Sequence, residues 1–176
     1  MTATETATST RRYYGKHRGM CLNNIDPMQM GRIQVEVPDV TGVGISSWAM
    51  PCFPVTGTQS GMFIAPPIGA GVWIEYEQGD PDYPIWVGGY FSAADVPAMA
   101  HLVPPGLTGW TYQTQLQNGI TVSDTPGPTG GILIKTTTGA MISVSDVGIT
   151  ISNGKGAIIT MLGPTVDINA GALTVI

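Results

Sequence analysis

From Gly131 onward the chain is punctuated by glycine at Gly131, Gly139, Gly148, Gly156, Gly163 and Gly171, at intervals of eight, nine, eight, seven and eight residues. A repeat this short limits the fold severely. Eight residues extend to ~26 Å at about 3.3 Å per residue, which makes one strand and a turn but not a whole solenoid coil. Three residues after the glycines stand Ile134, Ile142, Ile151, Ile159, Val166 and Thr174; five after them stand Thr136, Val144, Asn153, Met161, Ile168 and Ile176. Positions two apart share a strand face, so one face of the repeat is mostly aliphatic.

If one chain wound these six units into a three-sided helix, it would complete two coils, fewer than the three or so that bury a continuous core. If three chains each contribute one strand per layer, the same units make six layers. Trimerisation also accounts for a break in composition, because all thirteen aromatic residues lie at or before Tyr112. A narrow three-fold axis has room for Ile, Val, Ala and Met but not for rings. Ordinary sandwich strands are the competing reading, but their turns are less regular and their cores usually recruit an aromatic. The needle axis and trimer core are therefore expected at Ile134, Ile142, Val144, Ile151, Ile159, Met161, Val166 and Ile168.

The aromatic-rich part that precedes the repeat reads as five short strands, His17–Asn23, Gly31–Val37, Trp48–Val55, Gly71–Glu77 and Pro84–Phe91. Turn chemistry at Asn23–Pro27 and Gly79–Asp82 separates them, and the second turn joins a close antiparallel pair. Five strands in about 75 residues suit a small closed barrel, which leaves no unpaired edge. In "GVWIEYEQ", alternation sets Val72, Ile74 and Tyr76 on one side and Trp73, Glu75 and Glu77 on the other. The expected organisation is all-β: a flexible arm over 1–12, a barrel over 13–91, a Pro-rich connector over 92–117 and a trimeric β-helix over 118–176.

Charge narrows the functional classes. Only 11% of residues are charged, against about 25% in ordinary soluble domains. The net charge of −5 opposes a nucleic-acid partner, which needs a clustered basic surface. Four of the seven cations do cluster, at Arg11, Arg12, Lys16 and Arg18. They form either a solvated arm or a docking segment for an acidic protein. Cys21 and Cys52 are too few for a disulfide framework and have no metal-type spacing, so both read as small buried hydrophobes. The opening residues lack the basic and apolar regions of a secretory signal, and no segment reads as a membrane-spanning helix.

Candidate chemistry is sparse. His17, in the basic arm, and His101, in the connector, are the two histidines, and neither sits in a nucleophile–base motif. Glu75 and Glu77 could be paired carboxylates for glycoside hydrolysis, but strand alternation makes them outer-face polarity. Asp80 and Asp82 lack the further oxygen ligands that calcium needs and read as a proline-rigidified turn. Gly69–Gly71 opens a strand and so is no phosphate loop. No catalytic residue, metal or cofactor is expected.

The stretches "YYGKHRGMCLNNIDPMQMGRIQVEVPDV", "SSWAMPCFP" and "MFIAPPIGAGVWIEYEQGDPDYPIWVGGYF", followed by the glycine-punctuated tail, resemble the phage baseplate assembly protein V family. These are the central spikes of contractile phage tails and related injection systems, similar also to the core of type VI secretion spikes. The most specific piece is Gly71–Tyr90. The resemblance implies a five-stranded oligonucleotide/oligosaccharide-binding (OB) barrel followed by a trimeric intertwined β-helix needle, driven through the target envelope when the sheath contracts. It implies a homotrimer assembled with baseplate and tube components, made in the bacterial cytoplasm without a signal peptide and touching the target membrane only during puncture. A separate trimeric hub would meet the barrel end, with Arg11, Arg12, Lys16 and Arg18 as the local correlate. A PAAR-type tip protein would cap the other end at Leu173, Thr174, Val175 and Ile176, which otherwise leave a blunt apolar surface.

The chain departs from some relatives. The His-x-His iron motif near the apex has no counterpart, because no histidine follows His101. A lysozyme-like insert between barrel and needle is not expected, nor a hub-like domain before the barrel, so the hub is expected to be a separate chain. Two other classes compete. An OB module for nucleic acid or carbohydrate needs a basic groove that an acidic chain does not suggest. A β-solenoid lyase needs a charged cluster, whereas Asp124, Lys135, Asp146, Lys155 and Asp167 are spread about one per repeat.

Overall fold

The computed structural model describes residues 11–175 and resolves two compact units, one running through Ala94 and the other starting at Asp95. The first contains β1 (His17–Asn23), β2 (Ile33–Glu36), a helical turn at Pro38–Thr41, β3 (Trp48–Pro51), a small hairpin of β4 (Thr56–Gly57) and β5 (Ser60–Gly61), β6 (Gly71–Tyr76) and β7 (Pro84–Tyr90). Strands β1-β2-β3-β7-β6 close into a barrel. All its pairings are antiparallel except that of β3 with β7.

The barrel closes because each strand alternates. Val72, Ile74 and Tyr76 point inward from β6, and with Cys21, Ile33, Val35, Val37, Ala49 and Trp86 they form the core. The Trp86 indole meets the Phe53 ring edge to face and donates from Nε1 to the Gly31 carbonyl at 3.0 Å. The β1–β2 connection is organised by Asp26, which accepts from the backbone N–H groups of Met28 (3.0 Å), Met30 (2.8 Å) and Arg32 (3.2 Å). The same carboxylate takes Nη2 of Arg32 at 2.6 Å and Nε at 3.1 Å. Both donors meet Oδ1, and this clamp fixes where β2 begins.

Two expectations change here. Strands two and three are shorter than their apolar runs: β2 stops at Glu36 before Pro38, and β3 stops at Pro51. Proline supplies no ladder N–H, so it limits strands from within. Cys52 follows the end of β3 and is exposed, whereas Cys21 alone is a buried hydrophobe; Cys52 lies outside the alternating segment that would have turned it inward.

The second unit begins with a 3-10 turn at Ala98–Leu102, followed by β8 (Gly109–Gln113), β9 (Gly119–Ser123), β10 (Gly131–Lys135), β11 (Met141–Ser145), β12 (Gly148–Ser152), β13 (Ile158–Leu162), β14 (Thr165–Ile168) and β15 (Leu173–Val175). They form one antiparallel meander in sequence order. β8, inside the stretch read as connector, is already the first strand of the sheet. Each chain therefore completes its ladder from its own consecutive strands, so the strands need not come from separate chains for their backbone groups to be paired. Glycines stand in the turns at Gly139, Gly156, Gly163 and Gly171 and open the strands at Gly131 and Gly148. Gly131 adopts φ +80°, and an added Cβ there would strike the Val144 carbonyl.

Candidate functional site

The sheet's ladder sorts its side chains into rows. Residues directly opposite across antiparallel strands share a face. One row runs Trp110, Val122, Ile132, Val144, Ile149, Met161, Val166. A second, two residues away along the strands, runs Tyr112, Ile120, Ile134, Ile142, Ile151, Ile159, Ile168, Leu173. Both rows lie on the same face. The row between them, on the opposite face, reads Thr111, Thr121, Leu133, Ser143, Thr150, Thr160, Asp167. The sheet is thus apolar on one side and mostly hydroxylated on the other.

All eight residues expected at the needle axis, Ile134, Ile142, Val144, Ile151, Ile159, Met161, Val166 and Ile168, fall in the two apolar rows. The single chain leaves that face uncovered, with exposures of 37–55% at Met161, Ile151, Ile142, Ile134, Ile132, Tyr112 and Trp110. The 3-10 turn covers the other face instead: Met99 is 1% exposed and its sulfur abuts Gly119, next to buried Thr121 and Ser123. A continuous apolar face of this extent marks an association surface.

Glycine counting missed Ile132, Ile149, Ile120, Val122 and the two rings of β8. The physical reason is where each glycine sits. In β10 and β12 it is the first strand residue, so the apolar face falls one and three residues after it, whereas β11 and β13 begin two residues after theirs, so the face falls three and five residues after it. An offset of five from Gly131 or Gly148 therefore runs past the strand, to Thr136 and Asn153. The signal that finds the missing residues is the period-2 alternation inside "GILIK" and "GITIS". Trp110 and Tyr112 also show that the first strand's apolar face carries rings, so the composition break falls after β8 rather than before the sheet.

At the far end, Leu173 stands opposite Ile168 and is 55% exposed. The backbone of Thr174 and Val175 continues β15; their side chains, and Ile176, lie outside the described residues.

The four clustered cations are not a free arm. The Tyr13 N–H donates to the Gly79 carbonyl at 2.9 Å, Arg12 pairs with Asp80 at 3.0 Å and Lys16 pairs with Glu75. Arg11 lies over Tyr13, and Arg18 over both Trp73 and Tyr90. His17, read as part of the arm, opens β1 and packs its ring against Tyr13 and Tyr76. His101 is exposed in the 3-10 turn. Glu75 is thus occupied by Lys16, and Glu77 leaves the strand for the turn. Asp80 accepts the Asp82 N–H at 3.2 Å, which is turn chemistry. Among the described residues no group of three or more His, Cys, Asp or Glu converges, and no helix is long and apolar enough to cross a membrane.

A closed five-stranded barrel followed by a sheet with one uncovered apolar face defines a two-part structural protein whose second part is built to associate. The type VI secretion system/phage-baseplate injector OB domain matches residues 17–91, and the phage baseplate V C-terminal trimerisation domain matches residues 110–174. The two stand in that order and together take in most of the chain, which belongs to the phage baseplate V family. The barrel is an OB domain, and the protein is a homotrimeric structural component of a baseplate spike. No curated protein is similar enough to match.

Proposed function

We propose that the homotrimer is the central needle of the baseplate, linking a separate hub at its barrel end to a PAAR-type tip protein at its C-terminal end and puncturing the target envelope on sheath contraction. The observation that carries this reading is the two-row apolar face. Three such faces turned toward a common axis bury what one chain leaves in water, at ~1.5–3 kcal/mol for each fully buried Ile or Val. Ladder hydrogen bonds across the strands and aliphatic packing along the axis supply the stiffness that a punch needs.

In this reading Ile134, Ile142, Val144, Ile151, Ile159, Met161, Val166 and Ile168 line the axis, and the terminal strand offers the tip protein its apolar end. The work is mechanical and needs no catalytic residue or cofactor. The alternative of a nucleic-acid or carbohydrate module is disfavoured because two of the clustered cations are neutralised by the barrel's own carboxylates.

Electron microscopy of particles carrying a label on the barrel and another beside β15 tests the proposal. Density for the chain on the particle axis, with the barrel toward the tube and β15 pointing away, is the expected result. Location at the baseplate periphery would overturn it.

A further inference from the structure

Arg18 is held differently from its neighbours in the basic cluster. It stands directly opposite Trp73 across the β1–β6 ladder, while Tyr90 stands opposite Gly71 across the β6–β7 ladder. The guanidinium carbon is 5.3 Å from the Trp73 ring centroid and 5.1 Å from that of Tyr90. The two rings are themselves 5.1 Å apart and tilted by 54°. They form a shelf on the outer wall of the barrel, and the arginine lies on it.

The shelf is fixed before any partner arrives. The Tyr90 hydroxyl donates to the Gly19 carbonyl at 3.3 Å. Its ring lies against Gly71, where an added Cβ would come within 2.6 Å of the ring. Two anchors therefore hold Tyr90 flat, and cross-strand pairing holds Trp73 beside it. A long side chain packed on two rings has lost part of its rotamer freedom already, so less remains to be lost on binding.

What the rings do not engage are the guanidinium N–H groups. Arg12 and Lys16 are matched by Asp80 and Glu75, but among the described residues no carboxylate lies within ion-pair distance of Arg18 and no acceptor takes its donors. An exposed guanidinium resting on two rings, with unengaged N–H groups, fits a carboxylate in the bidentate mode. The partner's chemistry follows from charge. A chain of net charge −5 whose N-terminal cluster leaves Arg11 and Arg18 without a carboxylate among the described residues does not offer the extended basic surface that a phosphate backbone requires, whereas one carboxylate needs one fork.

We propose that Arg18, presented by Trp73 and Tyr90, is the contact point for a carboxylate on an acidic peptide segment of a partner chain. This deepens the hub contact proposed above and rests on that reading for the partner's identity, but not for its chemistry.

The test uses the full-length, isotope-labelled protein titrated with a capped hexaglutamate peptide in low salt, with capped hexalysine and inorganic phosphate as comparisons. The Arg18 Nε–H and Trp73 Nε1–H resonances should shift with hexaglutamate and not with hexalysine. Arg18→Met, which keeps an apolar stem on the shelf, should weaken the peptide at least about tenfold, as loss of a charge-assisted pair predicts. Arg18→Lys should restore only part of it. Unmoved resonances, an Arg18→Met protein that binds like the parent, or an equal response to phosphate would each overturn the assignment. The parent protein's resonances decide the matter even if a variant fails to assemble. A trimer that ignores hexaglutamate sinks this inference and leaves the needle standing; a monomer sinks the needle.

Discussion

Ile142 stands directly opposite Ile151 across the β11–β12 ladder, and the two are 41% and 40% exposed in the single chain. In the proposed needle the other two chains bury them. There, Ile151→Asp would bring three carboxylates together on the axis while forfeiting the remaining burial of three isoleucines that are 40% exposed in one chain, about 2–4 kcal/mol before any charge penalty. Because the position is exposed within one chain, the loss falls on association. Light scattering should return a mass near 18.4 kDa instead of three times that value; a soluble trimer with unchanged melting would refute the assignment.

Leu173 closes the second apolar row at the last strand. Removing Leu173–Ile176 takes away one short strand of an eight-stranded sheet, so the trimer should persist. Affinity for a tip protein should fall at least about tenfold, as expected when a buried aliphatic anchor of a small interface is lost. A titration showing equal affinity for truncated and full-length protein would rule the docking role out.

Asp26 gives the barrel an acid-sensitive joint. The Arg32 guanidinium, and after it the N–H groups of Met28, Met30 and Arg32, hold this carboxyl well below the usual carboxylate range against the opposing effect of desolvation. A lowered folded-state value means the stabilisation is present above the unfolded value of about 3.9 and is lost as pH falls below it. Asp26→Asn should lower the barrel's melting temperature by several degrees at neutral pH. The gap between parent and variant should close on acidification through that window, and a gap independent of pH would contradict the argument.

Tyr76 works in the opposite direction. Burial of its phenol, reinforced by Tyr13, pushes its pKa up to about 12, and its hydroxyl has no hydrogen-bond partner among the described residues. With the folded value raised, stability is complete below the ordinary tyrosine value of about 10 and declines as pH rises through about 12. Tyr76→Phe removes an unpaired buried hydroxyl and should stabilise the barrel by roughly 1 kcal/mol. It should also flatten the alkaline decline, as read by chemical denaturation at a series of pH values. A destabilised phenylalanine variant would show that the hydroxyl has a partner after all.

How legible these features were depends on the range over which they are encoded. The inward set of β6 could be read from six consecutive residues, because alternation is a property of neighbours. The glycine period likewise exposed the repeat. Arg12–Asp80 and Lys16–Glu75 join residues 68 and 59 positions apart, and nothing local announces such a pair. Cys52 misled because its apolar run outlasts its strand. Trp110 and Tyr112 misled because a change in composition was taken as the edge of an element, whereas the sheet continues through it. The Arg18 shelf needed three strands in register before it existed, so sequence could name the arginine but not what carries it.

The within-chain meander would also govern how the proposed needle can change length. Because neighbouring strands run in opposite directions, gaining or losing a single octad would reverse the direction in which everything beyond it runs. A whole hairpin, about sixteen residues at this repeat, restores both direction and row. Reach in such spikes should therefore vary in hairpin steps, with the apolar face continuous at every permitted length.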